Sequence, residues 1–149
     1  MANDNRDSHN PGGLAGVIIA WQARRAVIIP VLAVNHIWPF KGAGGGEQPA
    51  QSISEECSGY VSLSPDVRVY YEAASAPLIF SVGAEADTTL VVNAADGQWY
   101  CDDDGGENSG NPALRFDKPQ SGRYGIWIGS YISGDTQPAR LQISEIGSQ

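Results

Sequence analysis

Period-2 alternation, cut every few residues by turn chemistry, is the feature of this sequence that most restricts its fold. Val67, Val69 and Tyr71 alternate with Arg68, Tyr70 and Glu72, the pattern of a strand with one buried face. Residues 59–63 form a short strand ended by Ser64-Pro65-Asp66, and Ala76-Pro77 opens another over 78–82. The run 87–93 is followed by Ala95-Asp96-Gly97, whose Asp-Gly pair is hairpin chemistry, and 98–101 returns from it. Residues 113–116, 122–131 and 139–144 continue the series. About eight short strands at regular spacing, with no helical pattern, predict an all-β chain: an antiparallel β-sandwich, jelly-roll-like. Plentiful glycine and proline, with Val, Ile, Tyr and Thr in short runs, point the same way.

Charge narrows the partners. The formal net charge is −8, and from Glu47 onward there are fifteen acids against five bases. Phosphate contacts need Lys and Arg, so nucleic acid is a poor match. Cations or a basic protein surface are better ones.

The first part of the chain has a different character. Residues 1–41 read as a polar tail followed by a signal- or anchor-like apolar segment. Arg24-Arg25 precedes an apolar run over 26–34, resembling the basic and hydrophobic regions of an export signal. Trp38-Pro39-Phe40-Lys41 resembles an interfacial boundary, so residues 14–40 are a possible membrane anchor. Neither apolar run alone reaches the ~20 residues of a spanning helix. A pair of hydrophobic strands, or a helix packed on the domain, is the alternative. If retained, the segment offers self-association by adding a strand to a neighbour's sheet. Residues 42–56, opening on Gly42-Ala43-Gly44-Gly45-Gly46, read as a flexible linker to a domain over 57–149. The glycines lack the G-x-x-x-x-G-K-[ST] spacing of a phosphate loop.

Cys57 and Cys101 are the two cysteines. In a cytosolic chain they would be free thiols, and in an exported one a disulfide. A bridge would close about 45 residues and contribute about 4 kcal/mol on the chain-entropy account.

Three ordered segments carry a family resemblance. They are Asp87-Thr88-Thr89-Leu90-Val91-Val92, then Asp96-Gly97-x-Trp99-x-Cys101-Asp102-Asp103-Asp104, then Ser121-Gly122-x-Tyr124-x-Ile126-Trp127-Ile128-Gly129-x-Tyr131. Over roughly 57–145 the chain resembles small exported proteins of Gram-negative bacteria, which are similar to the bacterial pre-peptidase C-terminal domain. That resemblance implies an extracytoplasmic (periplasmic or secreted) jelly roll, a Cys57–Cys101 disulfide, calcium in some relatives, and no catalysis.

Candidate chemistry centres on the acidic loop after Trp99. Histidine occurs only as His9 and His36, both upstream, so no Ser-His-Asp or Cys-His site can form in the domain. A glycosidase-like pair such as Asp103 and Glu107, or a peptidase association, remains as an enzymatic alternative. Calcium is the better use of the loop. Asp102, Asp103, Asp104, Glu107, Asn108 and Asn111 offer oxygens, and glycines let carbonyls turn inward. The competing reading is a solvated turn whose Asp and Asn side chains cap backbone N–H groups. Trp99, Tyr124, Trp127 and Tyr131 are either core or an aromatic surface for polysaccharide. The sequence thus predicts a non-enzymatic exported accessory or binding module with a calcium loop. Its alternatives are a metal-free module for carbohydrate or a cell-surface protein, an enzyme, and a self-assembling module.

Overall fold

The computed structural model describes residues 16–21, 25–30, 37–107 and 110–147, with side chains from Gly42 onward. The chain is an antiparallel β-sandwich of two sheets. In chain order the strands are β1 (Gly16–Trp21), β2 (Arg25–Pro30), β3 (Ile37–Gly44), β4 (Gln48–Pro49), β5 (Tyr60–Val61) and β6 (Val67–Tyr71). They continue as β7 (Leu78–Gly83), β8 (Thr88–Asn93), β9 (Trp99–Asp102), β10 (Ala113–Phe116), β11 (Gly122–Ser130) and β12 (Gln137–Ser144). The larger sheet runs β2-β1-β6-β11-β8-β9, with β5 and β4 beside the far end of β11; the smaller runs β10-β7-β12-β3.

Alternation buries Val67, Val69 and Tyr71 as the sequence predicted, and the same period sets the rest of the core. Val67, Val69 and Tyr71 of β6, Leu90 and Val92 of β8, and Tyr124, Ile126 and Ile128 of β11 line the inner face of the larger sheet. They meet Leu78, Phe80 and Val82 of β7 and Leu141 and Ile143 of β12. Removing this apolar surface from water is the main stabilising term, at about 25 cal/mol per Å² buried. The Tyr71 hydroxyl donates to Glu145 Oε2 at 2.8 Å, and burial raises its pKa first, that carboxylate second.

The N-terminal segments take the strand alternative. β1 pairs antiparallel with β2 on one side and with β6 on the other, from Val17↔Tyr71 to Ala20↔Arg68. The β6 edge open to strand addition is thereby occupied by the chain's own β1. No helix among the described residues is long and apolar enough to cross a membrane. Residues 1–15, 22–24 and 31–36, including parts of the proposed anchor, lie outside the described residues.

The glycine run read as a linker is a close-packed corner. β3 extends through Gly44 and pairs with β12 from Ile37↔Ser144 to Gln137↔Gly44. The chain then crosses between sheets, where Gly45 N–H donates to the Ile128 carbonyl at 2.7 Å with φ +117°. A Cβ on Gly44 would strike the Ile128 side chain, on Gly45 the Asp135 carbonyl, and on Gly46 the Val61 backbone. Glycine serves here for close approach, and composition cannot distinguish that use from flexibility. Residues 48–49 then form β4 and residues 50–52 a 3₁₀ turn, so most of the expected linker packs on the larger sheet.

A carboxylate repairs a gap in the larger sheet. β6 pairs with β11 only as far as Val67↔Ile126, and β5 resumes at Tyr60↔Ser130. Between them Asp66 N–H donates to the Ile126 carbonyl, and Asp66 Oδ2 accepts the Ile128 N–H at 2.8 Å. Burial pushes the Asp66 carboxyl up to about 7, against a weaker lowering by that N–H. The native state therefore binds this proton more tightly than the unfolded chain. Its stabilising contribution is complete below the ordinary value of 3.8 and is lost as pH rises through about 7.

Two outcomes follow for stability. Gly45→Ala should destabilise by about 1–3 kcal/mol, read as a lower denaturation midpoint, because it forces both a clash and a left-handed backbone on alanine. Asp66→Asn keeps an acceptor for Ile128. Its melting temperature relative to wild type should climb between about pH 4 and about pH 7 and level off above. A pH-independent difference would contradict the buried-proton account.

Candidate functional site

One end of the sandwich gathers most of the acidic loops. β8 starts at Thr88, β9 ends at Asp102, β11 ends at Ser130, and the register sets these together through Leu90↔Asp102 and Ser130↔Thr88. The connections 84–87, 103–112 and 131–136 therefore emerge side by side. Between them they carry Glu85, Asp87, Asp103, Asp104, Glu107 and Asp135.

Asp102 closes the acidic loop. Its Oδ2 accepts the N–H of Gly105 at 2.6 Å and that of Ala113 at 2.9 Å, while Gly106 N–H donates to the Asn111 carbonyl. This is the capped-turn reading of the sequence. Asp103 Oδ2 instead accepts the Tyr131 hydroxyl at 3.0 Å. Gly110, at φ +84°, lies against Asp87, whose Oδ1 would be 2.5 Å from a Cβ there. Asp104 and Glu107 are exposed, Asn111 is buried with no partner for its Oδ1, and Asn108 lies outside the described residues.

This arrangement gives the calcium expectation no support. Asp102 is committed to backbone, and consecutive aspartates diverge along the strand end. Among the described residues no three His, Cys, Asp or Glu side chains converge on a point that could hold a metal.

Tyr131 is the hub of the end. Desolvation, then its bond to Asp103, then the charges of Asp103, Asp104 and Asp87 push its hydroxyl up to about 12. The residue is nevertheless 44% exposed, and the neighbouring Ile132 is 66% exposed. Ser130 Oγ donates to the Ile132 carbonyl at 2.9 Å and so fixes the backbone that presents them.

The disulfide ties a second layer to this end. Cys57 and Cys101 are bonded, with Cα atoms 5.4 Å apart, and no free cysteine remains. With Ala50, Val61, Val91 and Trp127 they form a small core on the outer face of the larger sheet. Trp127 lies over Gly125, where a Cβ would come within 3.1 Å of its ring. Trp99, 5.3 Å away by ring centroid, shields it.

The four aromatics named from sequence are therefore divided. Trp99 and Trp127 pair on the outer face, Tyr124 is buried between the sheets against Phe80 and Phe116, and Tyr131 stands at the acidic end. Of the residues at this end, Asp87 is visible in the sequence only as the start of its strand run, and Ile132 is not singled out there at all. Asp87 reads there as a strand cap, and an isolated isoleucine carries no signal until its exposure is known.

No family model matches the chain, and no curated protein sequence does. Among solved structures, the chain is similar to PliG from Aeromonas hydrophila, described as a periplasmic lysozyme inhibitor of g-type lysozyme. The two are 20% identical, with 74% of this chain and 86% of that one covered, at a TM-score of 0.40. A likeness at that level carries no functional weight.

Asp102→Ala would strand the Ala113 N–H in a half-buried site and should destabilise by about 1–3 kcal/mol. Because backbone rather than a cation satisfies Asp102, the wild-type melting temperature should be the same in EDTA and in millimolar calcium. A rise in calcium that Asp102→Ala abolishes would overturn this account.

Proposed function

We propose that the chain is an exported, non-enzymatic binding module that engages a basic protein surface through its acidic end. The observation that carries this reading is the exposed Tyr131–Ile132 step, held on a fixed backbone among the Asp87, Asp103 and Asp104 carboxylates. An aromatic and an aliphatic anchor inside a charged rim are the parts from which protein interfaces draw affinity and specificity. The field of the end would accelerate encounter with a cationic partner.

Charge segregation supports it. Arg115, Lys118 and Arg123 belong to the opposite end and Arg68 sits at mid-sheet across from Gly125, which leaves Arg140, across from Gly83 on β12, as the base toward the acidic end. The disulfide fits an oxidising compartment. The non-catalytic reading rests on the residues present: both cysteines are bonded and no histidine lies among the described residues. Nucleophile–base pairs of the Cys-His or Ser-His kind cannot be assembled from them.

A folded basic protein such as cytochrome c serves as probe, with an acidic protein of similar size as control. Binding by calorimetry should be saturable with cytochrome c alone and weaken at high salt. Ile132→Ser and the Asp103→Asn/Asp104→Asn pair should each weaken it by about tenfold or more, and Arg123→Ala should leave it unchanged. Absence of binding, or binding indifferent to Ile132, would refute the proposed surface.

A further inference from the structure

We propose that the cleft at the opposite end of the sandwich binds the ring of a single neutral sugar residue. It lies between the β8–β9 hairpin turn and the segment joining β10 to β11. Asp96, Tyr100, Phe116, Lys118 and Gln120 are among its walls, and its volume is about 160 Å³. A cavity of about 150 Å³ accepts benzene, so this one has room for one six-membered ring and not for a drug-sized ligand.

Its aromatic floor is closely packed. Phe116 meets Tyr100 edge-on at 5.1 Å and Tyr124 at 5.8 Å. The Tyr124 hydroxyl donates to the Gln120 carbonyl at 2.6 Å, locking the β10–β11 segment to the core. On the other wall Tyr100 donates to Asp96 Oδ2 at 2.7 Å, and Gln98 N–H donates to Asp96 Oδ1 at 2.9 Å. That carboxylate is held in place before any ligand arrives, so little ordering cost attends binding. The bond to Asp96, ahead of burial, raises the Tyr100 pKa and keeps its hydroxyl a donor.

The rim selects among small rings. A pyranose presents C–H faces, suited to an aromatic floor, and hydroxyls that both donate and accept. Among the residues of the rim, Asp96 and Asp117 carry acceptors, and Lys118 and Gln120 carry donor groups on exposed side chains that can close over a bound ring. An organic cation would want aromatic walls with surplus negative charge. Here Arg115 Nε already holds Asp117 Oδ1 at 2.6 Å, and Lys118 offsets Asp96. The local balance is near neutral, in contrast to the acidic end.

Amide chemical shifts of the whole protein, followed by NMR, test the assignment. The probes are the methyl glycosides of glucose, galactose, mannose, N-acetylglucosamine and rhamnose, with tetramethylammonium chloride alongside. At least one glycoside should saturate, with shifts confined to residues 94–100 and 116–121. Lys118→Ala/Gln120→Ala should weaken that binding by about tenfold or more with an unchanged melting temperature. Ile132→Ser should leave it intact, which separates this site from the acidic end. The proposal is overturned if no glycoside saturates, if tetramethylammonium saturates instead, or if the shifts centre on the acidic loop.

Discussion

Complete pairing of the β11 backbone is the constraint on which the rest of the structure depends. This strand runs through the larger sheet with β8 on one side and β6 followed by β5 on the other. A buried N–H without a partner costs about as much as a lost hydrogen bond. The change from β6 to β5 would leave Ile128 in that position. Asp66 fills it with a carboxylate, which then sits in apolar surroundings that oppose its charge. The carbonyl of the same Ile128 is met by Gly45, where the chain crosses from the smaller sheet. One residue thus links the strand break, the acid titrating near neutrality and the glycine corner.

From that strand outward, the two faces of the larger sheet have different uses. Inner positions build the main core with the smaller sheet. Outer positions, among them Trp127, meet the 50–57 segment and form a second, smaller core around the disulfide. Cys101 is the residue before Asp102, so the bridge anchors the base of the acidic loop while Asp102 sets its curvature through backbone N–H groups. Two independent fastenings hold the loop. Neither uses Asp103, Asp104 or Asp87, whose charge therefore remains near the surface around Tyr131. The ends of the sandwich diverge in consequence: one acidic with apolar anchors, the other a small aromatic-floored cleft of balanced charge.

Much of the fold was legible because strand period is local. The alternation in Val67–Tyr71 and the Asp96-Gly97 turn each report on neighbours a few residues away. The capping alternative for the acidic loop was legible for the same reason, since Asp102 reaches Gly105 three residues on. Readings failed where a partner lay far along the chain. Gly44–Gly46 matched a linker in composition, yet their close neighbours are Ile128, Asp135 and Val61. The apolar residues before Pro30 fit an export segment as well as strands in the sequence, and the pairing of β1 with β6 is visible only in the structure. Trp99, Tyr124, Trp127 and Tyr131 shared a sequence neighbourhood, but strand parity and burial distribute them over three environments.

The sequence by itself determined the class: antiparallel strands, a strongly acidic balance from Glu47 onward, and no histidine after His36. Those properties follow from composition and short-range periodicity, which need no knowledge of distant contacts. Tertiary structure alone decided which carboxylates are spent on backbone, which surround Tyr131, and which is buried at a strand break. It also decided that Tyr100 and Phe116, from strands in different sheets, share one cleft. The physical reason is that exposure, desolvation and charge grouping depend on through-space distance. In a sandwich that distance is set by register and crossover rather than by position along the chain.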